Sequence, residues 1–388
     1  MASILKFKPY YLILFFGLLI NLNPTWAADN DLVTPSAPVL TANSFVVLDY
    51  NSGKYLAENN ADTRVAPASL TKIMTVYVVF KELSNGHLHL EDKATISNKA
   101  WSTGGSRMFV EVNNQISIED LLHGVIIQSG NDASVALAEH VAGNEATFAD
   151  LMNQHAARLG MAGTHFVNSD GLPNPDHYTT ARDLGVLTRA LIKEFPDYYR
   201  WFSQKEFTYN KITQQNRNKL LWRDPSVDGV KTGFTDDAGY CLVASALRNE
   251  MRLISVVMGT KSTNIRANEN EALLNYGFRF FETHRLYPGQ STLAEARIWQ
   301  GKSQKLPVGL SEDLFVSIPR RHYNDLKATL NVDTNLVAPI TKGAKLGTVH
   351  VTLANEPLTD IDLIALEAME KGNIFERIYD QALRLIGK

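Results

Sequence analysis

Three short groups of residues, Ser69-Leu-Thr-Lys72, Ser129-Gly-Asn131 and Lys231-Thr-Gly233, hold the side chains with which this chain could run acyl transfer: a nucleophile, a proton relay and a clamp for a carboxylate. A serine hydroxyl is a poor nucleophile at neutral pH and needs a base beside it. Lys72 is the only ionisable side chain that the first group fixes next to Ser69, and it can take a proton only when neutral. Burial and a second cation nearby both disfavour the ammonium form. Lys231 would be that cation if the third group lines the same cleft. No group is informative alone: S-x-x-K recurs from Ser3 to Lys6 and S-x-N at Ser262-Thr-Asn264, whereas K-T-G occurs once.

The surrounding pattern indicates the elements that must hold these groups. Ser44 to Ala57 reads as a hairpin, Phe45-Val-Val-Leu and Lys54-Tyr-Leu-Ala flanking the turn cluster Asn51-Ser-Gly53. Pro67 and Ala68 precede Ser69, and the apolar run from Ile73 to Phe80 continues without a breaker to Leu83. That predicts a largely buried helix with Ser69 in its first turn and Lys72 one turn on, on the same face. Ile118 to Val141 is helical in pattern and interrupted at Ser129-Gly130-Asn131, a loop tip between two helices. The β-branched runs Val227 to Gly233, Gly239 to Leu247 and Met251 to Met258 predict an antiparallel meander with the third group on its first strand, followed by a helix over 269–281. Trp101 to Met108, with Gly104, Gly105 and Ser106, is a loop that could border the cleft. Beyond Leu286-Tyr-Pro-Gly289, the short runs Leu314 to Ile318, Leu326 to Val332 and Leu346 to Leu353 suit a small β-sandwich.

In order and company the three groups resemble the S-x-x-K, S-x-N, K-T-G signature of the penicillin-binding protein and serine β-lactamase superfamily, with Gly130 where the β-lactamase version usually carries Asp. Thr164-His-Phe-Val-Asn-Ser-Asp-Gly-Leu-Pro173, Tyr178-Thr-Thr-Ala-Arg182 and Lys231-Thr-Gly-Phe-Thr-Asp-Asp-Ala-Gly-Tyr240 are similar to the D-alanyl-D-alanine carboxypeptidase branch. The resemblance covers Ser44 to Thr283, and the β-rich part and tail by architecture only. It implies an α/β (α+β) transpeptidase-type catalytic domain with a C-terminal β-sandwich domain. It also implies a serine D,D-carboxypeptidase that removes the terminal D-alanine from peptidoglycan stem peptides, is acylated by β-lactam antibiotics and requires no cofactor or metal. Under it Ser69 is the nucleophile, Lys72 the base and Ser129 the relay to the leaving amine. Asn131 holds the substrate's amide carbonyl, and the strand bearing Lys231, Thr232 and Gly233 pairs with the substrate backbone. The oxyanion is received by the backbone N–H groups of Ser69 and Phe234. Phe234 departs from the histidine often found there, which preserves the backbone donor but not a side-chain role in pH dependence. Arg266 matches the arginine that fixes the terminal carboxylate, with Arg248 and Arg252 as alternatives nearby.

At 388 residues and 45% hydrophobic content the chain suffices for two compact domains, and its formal charge of −3 lacks the basic excess of a nucleic-acid binder. Lys6 and Lys8 before the apolar run Tyr10 to Ile20, then Thr25-Trp26-Ala27, predict a secretory signal peptide cut after Ala27. The run is shorter than the ~20 residues that span a bilayer. The expected division is a signal peptide over 1–27, a catalytic domain over 28–284, a β-rich domain over 285–370 and a tail over 371–388. Cys241, the only cysteine, reads as a small buried hydrophobe on a strand. His87-Leu-His89 lies in a Gly-containing turn and offers no converging set of metal ligands.

In the tail, at ~100° per residue, Ile374, Phe375, Ile378, Tyr379, Ala382, Leu385 and Ile386 share one face, with Glu376, Arg377, Asp380, Gln381 and Arg384 opposite. Resemblance to the carboxypeptidases implies a membrane-binding end helix and a peripheral place on the periplasmic face of the cytoplasmic membrane. A helix docked on the protein's own core is the alternative. Lys371, Arg377, Arg384 and Lys388 against Glu376 and Asp380 leave a tail charge of only +2, so apolar burial should outweigh attraction to anionic lipid.

Other readings share part of this pattern. A class A β-lactamase adds a glutamate in an E-x-x-L-N group between the second and third motifs. Glu271-Ala-Leu-Leu-Asn275 fits but follows K-T-G, and Glu206 to Asn210 lies in the right interval without the Leu. A D,D-endopeptidase would use the same nucleophile, though a clamp for a free terminal carboxylate favours the carboxypeptidase. A non-catalytic peptidoglycan-binding relative is disfavoured because all three groups are intact.

Overall fold

The computed structural model describes residues 34–385. The expected signal peptide and residues 386–388 of the tail lie outside the described residues. Five antiparallel strands form the main sheet: β1 (Ser44–Asp49), β2 (Tyr55–Asn59), β3 (Val227–Thr235), β4 (Gly239–Arg248) and β5 (Met251–Thr260), side by side in the order β2-β1-β5-β4-β3. The expected hairpin and meander are both present, and they join through β1 and β5. The strand that carries the third group is an edge strand of this sheet.

Three helices position the site: α1 (Lys72–Ser84), α2 (Asn131–Ala142) and α3 (Thr263–Phe280). Every residue of β1 is buried, because strand alternation delivers its side chains to two cores. Val46 and Leu48 enter the core that also holds Ile73 and Met74 of α1, next to Gly185 of the helix over Ala181–Glu194, whereas Phe45 and Val47 enter the core that holds Leu273 and Leu274 of α3. A sheet covered on both faces needs nearly continuous apolar strands, which is what made the meander visible in the sequence. In α1 every residue from Lys72 to Phe80 is buried. A helix apolar all round must be enclosed, and Lys72 is the one charged residue carried in with it.

The break at the second group has a specific form. A π-type turn over Gly124–Gln128 ends at Ser129, whose backbone is left-handed at φ 66 and ψ 33, and α2 starts at Asn131. Such turns and left-handed non-glycine residues concentrate at functional sites. The helix after the meander begins at Thr263 rather than at 269. Ser262 caps it by accepting the Ile265 N–H at 3.1 Å, and its first turn, Thr263-Asn-Ile-Arg266, is too polar to show an apolar period. A hairpin of Glu206–Tyr209 and Ile212–Gln215 was not anticipated.

Phe281–Tyr287 leaves α3 directly, pairs with Leu314–Pro319 and runs through the expected 284/285 boundary. The remaining strands form a six-stranded sheet in the order Leu326–Val332, Lys345–Leu353, Glu356–Ala365, Lys305–Gly309, Ala294–Trp299 and Leu336–Val337. Ile298, Leu306, Val308, Leu346 and Ala365 form its core. Polar bonds tie this β-rich part to the main sheet: Thr283 Oγ1 donates to Asp49 Oδ2 at 2.8 Å, and the Ser52 and Ser317 hydroxyls lie 2.6 Å apart. The last element is α4 (Ile374–Leu385). Its docking uses the polar face, through Asp380, and leaves Ile374, Phe375, Ile378 and Tyr379 exposed. Cys241 is buried on β4, and burial pushes its thiol up to about 11.

Candidate active site

A cleft of about 880 Å³ is lined by residues of all three groups, among them Ser69, Ser129, Asn131, Thr232 and Gly233. Ser69 sits in a short 3-10 turn, Ala68–Thr71, that leads into α1. Two glycines let the chain close around it. A side chain on Gly171 (φ +87) would meet the Ala68 carbonyl at 1.9 Å, and one on Gly233 would press on the Pro67 carbonyl and on Leu70 at 3.1 and 3.2 Å. The third group therefore needs its glycine so that β3 can lie against the turn that bears the nucleophile.

Lys72 Nζ reaches three oxygens: Ser69 Oγ at 3.1 Å, Asn131 Oδ1 at 2.7 Å and the Asp170 carbonyl at 2.5 Å. Burial pushes the Lys72 ammonium down to about 8, with Arg217 adding to the effect and the carboxylates of Asp170, Asp132 and Glu145 opposing it. Arg217 is thus a cation acting on Lys72 that the sequence did not suggest, beside the expected Lys231, whose repulsion with Lys72 is mutual. Lys231 donates to Ser129 Oγ at 2.8 Å and to the Thr232 carbonyl at 3.0 Å. Its own ammonium is held well below the usual lysine range by burial first, then by the charges of Lys72, Arg217 and Arg266.

Asn131 is already engaged on both sides, accepting from Lys72 and donating from Nδ2 to the Gly104 carbonyl at 2.7 Å, while its backbone N–H donates to Ser106. The loop containing Gly105 and Ser106 therefore does border the cleft. Buried Asp132 fastens that loop by accepting the N–H groups of Met108, Phe109 and Val110 at 2.8, 2.9 and 3.3 Å. His177 braces the nucleophile from the other side. Its Nδ1 accepts the Val167 N–H at 3.0 Å, so Nε2–H donates to Thr71 Oγ1 at 2.7 Å. Burial lowers this imidazole to about 4, which keeps it neutral.

Of the three arginines considered, only Arg266 lines the cleft. Arg248 pairs with Asp224 at 2.6 Å and Arg252 with Asp228 at 2.7 Å. Arg266 Nη1 donates to the Gly233 and Cys241 carbonyls at 2.9 and 3.3 Å, and its guanidinium lies 5.6 Å from the Tyr240 ring. Burial lowers it to about 10. Phe234 is 47% exposed and packs on Tyr240 with ring centroids 4.2 Å apart, so its side chain forms part of the cleft wall. Glu206 and Glu271 do not line the cleft. No set of three or more His, Cys, Asp or Glu able to hold a metal occurs among the described residues.

Sequence reasoning missed Arg217 and Asp132. Arg217 stands exposed at the rim, just after the unanticipated hairpin, and makes no ion pair among the described residues. The polar run Gln214-Gln-Asn-Arg-Asn218 carries no motif that would have marked it. Asp132 has only its place next to the second group as a signal.

Residues 31–262 match the D-alanyl-D-alanine carboxypeptidase family, and residues 281–371 match the penicillin-binding protein 5 C-terminal domain. Among curated relatives, the D-alanyl-D-alanine carboxypeptidase DacC of Escherichia coli K12 is 45% identical over 355 residues, 89% of each chain. DacA of the same strain is 42% identical over 354 residues, 89% of this chain and 88% of that one. The crystal structure of penicillin binding protein 5 from Haemophilus influenzae superposes with a TM-score of 0.83 at 41% identity, covering 87% of this chain and 100% of that chain. With both parts matched in order and a serine-lysine pair at the base of the cleft, the chain belongs to the D-alanyl-D-alanine carboxypeptidases, serine hydrolases with an α/β catalytic domain and a β-rich C-terminal domain.

Proposed function

We propose that Ser69 carries the acyl group when the enzyme removes the terminal D-alanine from peptidoglycan stem peptides. Ser69 Oγ attacks the carbonyl between the two D-alanines and passes its proton to neutral Lys72 Nζ. The C–N bond breaks, and the departing amine takes a proton relayed from Lys72 through Ser129. Water then attacks the ester and gives its proton to Lys72, which returns it to Ser69 Oγ as the C–O bond breaks, and the shortened peptide leaves. One observation carries this assignment. Asn131 Oδ1 and the Asp170 carbonyl are acceptors only, so they hold two N–H bonds of Lys72. When Lys72 loses its proton, the lone pair is left facing Ser69 Oγ.

The other roles follow from position. The backbone N–H groups of Ser69 and Phe234 receive the oxyanion. Asn131 keeps one Nδ2–H beyond its bond to Gly104 for the substrate's amide carbonyl, and the edge of β3 at Thr232 and Gly233 pairs with the substrate backbone. Lys231, Thr232 and Arg266, joined by Arg217 at the rim, attract the terminal carboxylate. An arriving carboxylate also reverses the mutual repulsion among these cations and restores their charge. β-Lactams present a strained amide to the same serine.

The protein is exported and sits on the periplasmic face of the cytoplasmic membrane through α4. No helix among the described residues is long and apolar enough to cross a membrane, so the attachment is in the plane of the surface. Two measurements test the reading: release of D-alanine from a D-Ala-D-Ala-terminated peptide, and intact mass after exposure to a β-lactam. D-alanine release together with one adduct on Ser69 is expected. Rapid β-lactam turnover without D-alanine release would make the enzyme a β-lactamase instead, and neither activity would end the proposal.

A further inference from the structure

α4 is attached to the β-rich domain by its polar side and at two points. Just before the helix, the Gly372 N–H donates to the Gln300 carbonyl at 2.8 Å, and Lys371 bridges to Gly301. Asn373 Oδ1 caps the first turn by accepting the Phe375 and Glu376 N–H groups at 2.9 and 3.0 Å, and the Glu376 carboxylate returns a bond to the Asn373 N–H at 2.6 Å. Two turns on, Asp380, 4% exposed, accepts the Gln300 N–H at 2.6 Å and Arg297 Nη2 at 3.1 Å. Gln300 therefore grips the helix with both its carbonyl and its N–H. A segment held at one point can swing. One held at residues 372 and 380, ~12 Å apart at 1.5 Å per residue, has a set direction.

This docking inverts the usual surface helix, whose apolar stripe faces the core. Ile374, Phe375, Ile378 and Tyr379 are 64, 80, 61 and 59% exposed, one contiguous patch at i, i+1, i+4 and i+5. Its occupant is a lipid surface. A helix of 12 residues is ~18 Å long, too short to span a bilayer and suited to lying in its plane. Exposed Arg377 beside the patch suits anionic head groups.

We propose that Asp380 is a positioning residue. Its latch onto Gln300 and Arg297 makes α4 a rigid strut that fixes the tilt of the enzyme over the lipid surface, and so the height at which the cleft meets a substrate tethered there. The inference rests on the membrane reading above.

The experiment uses the full chain and vesicles of phosphatidylethanolamine and phosphatidylglycerol with an acceptor dye in the head groups. A donor is placed on Asn85→Cys, an exposed site; Cys241 is buried and its thiol pushed up to about 11, so it stays unlabelled. Asp380→Ala keeps the helix, alanine being the best helix former. Both proteins should sediment with the vesicles. The parent should give one narrow energy-transfer distribution and the variant a broad one. On a lipid-tethered D-Ala-D-Ala peptide the variant should lose about threefold or more in rate, because stiffness and reach set the effective concentration. Its kcat/KM on a soluble peptide should be unchanged. Asp380→Asn, which can still accept the Gln300 N–H, should fall between.

Identical distributions and rates for vesicle-bound parent and Asp380→Ala would overturn the latch alone. Loss of vesicle binding by Asp380→Ala would also overturn it, since the residue would then be needed for attachment rather than tilt. If the parent does not sediment with vesicles, or forms a concentration-dependent dimer that hides the patch, the membrane reading fails and takes the strut with it.

Discussion

The cleft and the C-terminal part treat charge in opposite ways. Lys72, Lys231 and Arg266 are buried at the cleft and Arg217 stands at its rim, and none has a carboxylate within ion-pair distance among the described residues. Their hydrogen bonds, where they have them, go to hydroxyls, an amide and carbonyls. In the β-rich part Lys302, Lys305 and Lys345 each meet an Asp or Glu at the surface. Paired surface charges of that kind contribute little to stability, but they leave nothing over for a ligand. The cleft keeps its positive charge unmatched, at a cost in desolvation, until a substrate supplies the anion.

The sharpest way to break this contrast is at the nucleophile. Ser69→Ala should abolish labelling by a fluorescent penicillin, while removal of residues 374–388 leaves it intact; label surviving in the alanine variant, or mapping to Ser129, would end the assignment of Ser69. Lys72→Ala should follow, with acylation about 100-fold to 10,000-fold slower, the range of general-base contributions, and an unchanged fold by circular dichroism. Near-normal turnover would exclude Lys72 as the base.

The unmatched cations come next. Amidating the substrate's C-terminus should slow the parent about 10-fold to 100-fold, the weight of a charge-assisted hydrogen bond at 1.4 kcal/mol per decade. Arg266→Ala should show a much smaller amidation penalty, and equal penalties would remove Arg266 from the carboxylate site. Smaller still is a shift in pH profile. Because Lys72 is lowered to about 8 and acts when neutral, the acylation rate should rise through about pH 8 and level above it. Arg217→Ala removes a positive neighbour, favours the Lys72 ammonium and should move this limb to higher pH; a stationary limb would mean that Arg217 does not act on Lys72. Deleting residues 374–388 should have the least effect on the chemistry: the protein should leave the membrane pellet while its rate on a soluble peptide stays the same. If the full chain is already soluble, or salt alone releases it, apolar attachment fails.

Much of the catalytic scaffold was legible because its signals were local or strongly periodic. The run Ile73 to Phe80 required a buried helix, and the short, nearly continuous apolar runs of β3, β4 and β5 required a sheet. What escaped were interactions set by tertiary placement. Ser262 looked like a stray copy of the second group, yet it caps α3 and moves that helix's start to Thr263. Arg217 becomes part of the site only because a short hairpin folds its polar run over the cleft. The amphipathic pattern of the tail was visible, but not that the polar edge would be the docked one, because that depends on where Gln300 and Arg297 end up.

The edge position of β3 has a further consequence. An unpaired strand edge is a template on which any extended chain can assemble, a common route to aggregation. Here the edge is rationed. Asn218 Nδ2 donates to the Gly229 carbonyl at 2.8 Å and stops further pairing at that end, and Gly105, Ser106 and Asn131 line the same cleft as the stretch from Thr232 to Thr235. Residues on the far side of the cleft thus stand opposite this stretch of edge and oppose the approach of a neighbouring sheet, a guard against polymerising through it.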